Sequence, residues 1–130
     1  MRDIADRSDL KLIVEQFYNK ARLDVQLGSV FAAAVADDDW PDHFELITDF
    51  WNSALFDANS YHGNTFAKHA NLPIEKRHFD RWLALFSDTV NEHFVGPIAD
   101  DCIHRATTMG ALFESKMSYL RANPQMKNIL

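Results

Sequence analysis

Three histidines, several basic residues and a tryptophan fall within one stretch of the chain, "YHGNTFAKHANLPIEKRHFDRWLALF", from Tyr61 to Phe86. An imidazole can ligate a metal or exchange a proton near neutral pH, whereas an indole N–H can only donate a hydrogen bond. Zinc hydrolysis is disfavoured because the sequence has no HExxH and no close histidine pair, and a serine triad is disfavoured because nothing resembles GxSxG. The histidines are therefore either structural or ligands of a cofactor.

Two histidines carry most of the chemical interest. His69 lies between Phe66 and Leu72, on a short segment bounded by loop signals, from which its ring can be placed against a cofactor. His43 shares a predicted helix face with apolar residues such as Ile47. Spacing alone leaves the alternative open that either ring is simply a surface histidine or a core histidine bonded to a backbone carbonyl. The others are interpreted as solvent-facing or helix-end residues: His62, His78, His93 and His104.

Two further polar hydrogens lie within stripes that otherwise bury hydrocarbon. Tyr18 brings an O–H and Trp82 an N–H into such stripes, and a buried donor needs an acceptor. A backbone carbonyl would suffice for each. Together with His43, the two side chains could instead converge on a small polar guest in an apolar cavity.

Composition bounds the class of protein. A chain of 130 residues with 47% hydrophobic and 25% charged residues predicts one ordered globular domain, spanning residues 1–130. A net charge of -6 argues against nucleic-acid binding, which needs a clustered basic face. The charged start lacks the apolar stretch of a signal peptide, and no window is long enough to span a membrane, so we expect a cytoplasmic protein. Cys102, the single cysteine, excludes an internal disulfide and is expected to be a small buried residue of the last helix.

Apolar spacing and capping signals predict an all-α protein, since no run alternates as a strand would. Ser8 is expected to cap the first helix, and Asp39 and Pro41 mark the start of another. The predicted helical segments are Ser8 to Asp24, Leu27 to Val35, Asp39 to Phe56, a short one between Asn64 and Pro73, Glu75 to Phe94, and Asp100 to Arg121.

From about Leu12 to Tyr119 the chain resembles the third group of truncated haemoglobins. The matching pieces, in order, are "FY" at Phe17 and Tyr18, "LGSVF" ending at Phe31, "W..H" at Trp40 and His43, "FW" at Phe50 and Trp51, "Y.G" at Tyr61 and Gly63, "KH..LP" from Lys68 to Pro73, and "HF..WL.LF" from His78 to Phe86. Their order and separation make the set specific. Thr65 departs from the pattern, since many relatives have proline there.

The resemblance implies a truncated, two-over-two globin fold in which two antiparallel helix pairs enclose haem b. It implies that His69 is the iron ligand and that Tyr18, His43 and Trp82 form the distal pocket. Neutral imidazole suits that ligand role because its second nitrogen can bond a carbonyl that orients the ring. The expected pocket walls are Phe31, Phe50, Trp51 and Phe86, and the candidate partners of the haem propionates are Lys68, Arg77, His78 and Arg81.

The function implied is an oxygen carrier that also binds carbon monoxide and nitric oxide. Two distal donors predict tight oxygen binding with slow release, which leaves time for nitric oxide dioxygenation or peroxidase-like chemistry supported by an unidentified reductase. A cofactor-free helical interaction module is the alternative from another class, and a haem sensor is disfavoured because no output domain is visible. The chain is expected to be a monomer or a weak homodimer.

Overall fold

Helices form the secondary structure of residues 1–57 and 72–126, the part of the chain that the computed structural model describes, and no strand occurs in these ranges. They are α1 (Arg7–Ala21), α2 (Gly28–Ala34), α3 (Trp40–Phe56), α4 (Lys76–His93) and α5 (Pro97–Ala122), with short 3-10 turns at Asp37–Asp39 and Pro124–Met126. The all-α class is confirmed. The short helix predicted between Asn64 and Pro73 lies almost entirely outside the described residues.

The apolar stripe of α1 sits at helical spacing and is buried, as the sequence predicts. Its buried residues include Leu10, Ile13, Val14 and Phe17, each 1% exposed. Burial of a side chain such as Phe17 contributes about 1.5 to 3 kcal/mol to stability. The predicted cap was wrong: Asp6, not Ser8, occupies the cap, and its carboxylate accepts the Asp9 N–H at 3.2 Å. The helix also ends at Ala21, before the expected Asp24.

The core lies where α1 packs against α3 and α4 and where α4 packs against α5. Phe86 and Val90 of α4 and Ala106 of α5 are each at most 2% exposed there. Cys102 is buried as predicted, and burial raises the pKa of its thiol to about 12. A smaller apolar cluster at the far end of α5 contains Phe113, Met117 and Leu120.

The last helix begins earlier than the sequence predicted. α5 starts at Pro97 rather than Asp100, because Pro97 occupies its first turn and the cap is supplied from the opposite end of the chain. The carboxylate of Asp3 accepts the N–H groups of Ile98 and Ala99, each at 2.9 Å. Gly96 precedes this helix with φ of 146°, a conformation that favours glycine, and an added Cβ would lie 2.5 Å from the Asp3 side chain. The N-terminal segment therefore stabilises the turn between α4 and α5.

Candidate functional site

Aromatic rings from α1, α3 and α4 meet in one cluster. Phe86 of α4 stacks between two indoles, with ring centroids 5.2 Å from Trp51 and 5.4 Å from Trp82, and with interplanar angles of 18° and 11°. Phe17 meets the other face of this group edge-on, 5.5 Å from Phe86. Such contacts add about 0.5 to 1.5 kcal/mol each beyond area burial, so the two tryptophans are held in defined positions.

Tyr18 belongs to a second group of rings beside the first. Its ring centroid lies 5.3 Å from Phe31 of α2, 5.5 Å from Trp40 and 5.9 Å from His43 of α3. His43 is also 5.4 Å from Trp40. Burial raises the pKa of the Tyr18 phenol, so this group is a neutral hydrogen-bond donor at physiological pH.

Between these rings and α5 lies a cavity of about 520 Å³. This volume falls within the range of cofactor and ligand pockets, roughly 300 to 1,000 Å³. The described residues that line it are mostly apolar: Tyr18, Leu27, Val30, Phe31, Ala34, Val35, Asp39, Asp42, His43, Leu46, Ile47, Phe50, Trp51, Leu72, Ile74, His78, Phe79, Trp82, Met109, Gly110 and Phe113.

Two hydrogen-bond donors line this cavity, the Tyr18 hydroxyl and the Trp82 indole N–H. Among the described residues, neither donor has a hydrogen-bond acceptor. Donors on the wall of an apolar cavity favour a polar guest, because polar groups away from water are normally hydrogen-bonded. Gly110 enlarges the space from α5, because the nearest atom to an added Cβ would be in Trp82 at 3.9 Å.

His78 brings a further polar group to the cavity from the first turn of α4. The sequence interpretation named a solvent-facing or helix-end residue; His78 is at the helix end, and its side chain is 6% exposed. Its Nδ1 accepts the backbone N–H of Glu75 at 2.9 Å. The burial follows from this bond, which folds the ring back over the helix start.

The comparisons with known proteins agree with the geometry. Group 3 truncated hemoglobin ctb of Campylobacter jejuni is 28% identical over 115 residues, which cover 86% of this chain and 91% of that protein. The crystal structure of group III truncated hemoglobin from Campylobacter jejuni matches with a TM-score of 0.82 and 27% identity, over 90% of this chain and 95% of that chain. No family model matches the chain. The chain is similar to group III truncated haemoglobins in both sequence and fold.

Globins bind haem in general, and the cavity of this protein fits such a group. Its volume of about 520 Å³, its aromatic and aliphatic walls and the space left by Gly110 suit a large flat apolar guest. The O–H of Tyr18 and the N–H of Trp82 suit a small polar ligand held beside that guest. The residues present therefore fit a haem with a gas ligand.

Most of the predicted site residues come together in the structure. Tyr18, His43 and Trp82 line the same cavity, as do Phe31, Phe50 and Trp51. Phe86 supports the wall from behind, since it stacks on both cavity-lining indoles without lining the cavity itself. His69 and Lys68 lie outside the described residues.

The two arginines predicted as partners of the haem propionates have partners elsewhere. Arg81 donates from Nε to Asp24 Oδ1 at 2.9 Å, and Arg77 lies 3.2 Å from Glu75. Neither arginine is among the described residues that line the cavity. Their contact with a propionate stays a prediction.

Sequence reasoning missed two residues that shape the site. Asp24 accepts the N–H groups of Gln26 and Leu27 at 3.0 and 3.2 Å and so fixes the loop that leads into α2. Gly110 of α5 also lines the cavity, and its lack of a side chain was a readable signal of open space. In the described part of the chain, no helix is both long enough and apolar enough to cross a membrane.

Proposed function

We propose that the protein binds haem b in the cavity and takes up dioxygen, carbon monoxide and nitric oxide there. The observation that carries the proposal is the apolar cavity of about 520 Å³ with hydrogen-bond donors from Tyr18 and Trp82 on its wall. A cofactor-free interaction module has no use for an interior space of this size, because empty apolar cavities reduce packing and stability.

His69 is the residue we propose as the iron ligand. Its support is the "KH..LP" match to the group III pattern together with the similarity of the chain to a group 3 truncated hemoglobin. A haem iron held by one imidazole supplies a coordination position for diatomic gases. The apolar side chains around the cavity exclude bulk water from that position, which protects ferrous iron from oxidation.

The distal residues set the affinity for oxygen in this proposal. Dioxygen draws electron density when it binds, so a donor beside it acts as a donor to a partial anion, worth about 1.5 to 3 kcal/mol. Trp82 can only donate, and the neutral Tyr18 phenol can also donate. Both therefore favour dioxygen over carbon monoxide, which carries less charge. Tight binding with slow release follows.

His43 is proposed to complete the distal pocket, since its ring lies against Tyr18 and Trp40. The two packed rings limit the orientations that the imidazole can take. It can therefore bond a gas guest or gate its entry from a defined position. We propose Lys68, Arg77, His78 and Arg81 as the candidate propionate partners.

A redox role is supported by the same donors. Slow oxygen release gives nitric oxide time to react with the bound dioxygen. One molecule of each, with one electron from the ferrous haem, would form one nitrate. A cytoplasmic reductase would then have to replace that electron. Donors such as Tyr18 and Trp82 also favour peroxide cleavage, because they stabilise developing negative charge. Nitrate yield per nitric oxide consumed by the ferrous oxygenated protein measures this role, and a yield no better than that of free haem would remove it.

Titration of the haem-free protein with haemin tests haem binding directly. Trp51 and Trp82 line the cavity and Trp40 packs beside it, so bound haem should quench tryptophan fluorescence by energy transfer, with an end point at one haem per chain. A monomer or weak homodimer is expected throughout. A folded protein whose fluorescence falls without an end point would leave the interaction module as the better account.

A further inference from the structure

His78 is a buried imidazole whose protonation pattern is set by its own helix. Nδ1 accepts the Glu75 N–H at 2.9 Å, and the ring is 6% exposed. A nitrogen that accepts a hydrogen bond carries no proton, so the neutral ring must carry its proton on Nε2. The start of α4 thus holds His78 as a fixed Nε2–H donor.

This donor lacks a partner within the described part of the chain. His78 lines the cavity, and its one hydrogen bond there is made through Nδ1. An N–H on the wall of an apolar cavity is well placed to donate to a guest that brings an acceptor. Ile74 and Phe79, which also line the cavity, make its surroundings apolar.

Charge around the cavity indicates which acceptor fits. The described lining residues include the carboxylates of Asp39 and Asp42 but no lysine or arginine. An anionic group of the guest is repelled near those two carboxylates. His43 and Tyr18 lie together in the ring group around Trp40, so His78 is a donor that stands apart from the distal donors.

We propose that the Nε2–H of His78 donates to a carboxylate of the guest, which for haem is a propionate. The inference rests on the proposed function and deepens it, because it selects one residue from the four propionate candidates and assigns the atom. It also gives the haem a preferred orientation, with a propionate at the start of α4 and away from Asp39 and Asp42.

Two substitutions separate donation from capping. His78→Gln and His78→Glu can both accept the Glu75 N–H, as glutamine and glutamate do in capping boxes, but only glutamine can donate to a carboxylate. Equal thermal unfolding of the two haem-free variants would show that the cap is preserved in both.

Loss of haem to excess apomyoglobin measures the proposed bond. With protohaem, we expect His78→Glu to lose haem about 10-fold or more faster than wild type, the effect of replacing one charge-assisted bond by repulsion, and His78→Gln to stay close to wild type. With haem dimethyl ester, which has no carboxylates, the three proteins should lose haem at similar rates. Equal protohaem rates in all three, or a His78→Glu effect that persists with the ester, would overturn the proposal.

Nitrogen-15 NMR of the haem-free protein tests the donor without any haem. The expected ring shifts of His78 are those of a neutral imidazole protonated on Nε2. A ring protonated on Nδ1 would overturn the proposal. Failure of wild-type protein to bind haem would instead refute the proposed function, and the NMR result would still report on the donor.

Discussion

Replacing Tyr18 with phenylalanine removes one hydroxyl from the cavity wall and keeps the ring. The ring packs 4.8 Å from Phe17, 5.3 Å from Phe31 and 5.5 Å from Trp40, and these contacts survive the substitution. In the described part of the chain the hydroxyl has no hydrogen-bond partner to lose. The haem-free variant should therefore be as stable as wild type to within about 1 kcal/mol, or slightly more stable.

The same substitution should have a large effect on oxygen. Loss of a donor to a partly anionic ligand costs about 1.5 to 3 kcal/mol, which is roughly a 10- to 150-fold faster release of oxygen. Carbon monoxide carries less charge when bound, so its release should change much less. A variant with unchanged stability but much faster oxygen release would mark Tyr18 as a functional residue rather than a structural one.

Stopped-flow measurement of oxygen release from the ferrous protein, beside thermal unfolding of the haem-free form, gives both numbers. Tyr119→Phe is the matched control, because Tyr119 is 47% exposed on α5 and does not line the cavity. An oxygen release rate equal to that of the control would refute the distal role of Tyr18. A loss of several kcal/mol in stability would refute the reading of its hydroxyl as unbonded.

Two structural contacts make further predictions. Asp3→Ala should lower the free energy of unfolding by about 1 to 2 kcal/mol, because the Asp3 carboxylate caps α5. Burial alone would raise the pKa of Asp3, but the backbone N–H groups that donate to its carboxylate lower it by more, so the pKa lies below the ordinary 3.8. The stability difference measured by urea unfolding should thus persist above pH 3.8 and vanish as the pH falls below it; a constant difference would contradict the cap. Arg81→Ala should lower the free energy of unfolding by about 0.5 to 1 kcal/mol, because it removes the ion pair with Asp24. In an Asp24→Asn background the same substitution should have much less effect, since the ion pair is already absent. Additive losses in this double-mutant cycle would contradict the contact.

The helices were predictable because periodicity and local caps decide them. Phe17 belongs to the apolar stripe of α1, and Trp82 and Phe86 are four residues apart on α4. The three rings pack against one another, as that helical spacing predicts. The end of α3 at Phe56 was also predicted, where Asp57 adopts a left-handed conformation with φ of 54°. Local sequence carries this information, since residues three and four apart share a helix face.

The start of α5 could not be predicted locally. Its cap comes from Asp3, more than ninety residues earlier in the chain, and no residue near Pro97 indicates this contact. Asp24 and Arg81 likewise pair across 57 positions. Such contacts depend on how α1, α4 and α5 pack, which a single sequence does not reveal.

The candidate site was predictable in its residue types more than in its arrangement. The spacing of Tyr18, His43 and Trp82 left a backbone carbonyl and a guest open as partners, and the resemblance to group III truncated haemoglobins selected the guest. His78 was assigned to a helix end, but its burial depends on the bond to the Glu75 N–H. Burial created by one side-chain bond is invisible to periodicity.

Absorption spectra with and without carbon monoxide test the central claim most directly. Wild-type protein, His69→Ala and the exposed-site control His104→Ala are reconstituted with haem and compared in ferric, ferrous and carbon monoxide states. The account predicts a Soret band that shifts with carbon monoxide in wild type and in His104→Ala, and that is lost or altered in His69→Ala. Folded wild-type protein that stays colourless after haem is supplied, or a His69→Ala spectrum identical to wild type, would contradict it.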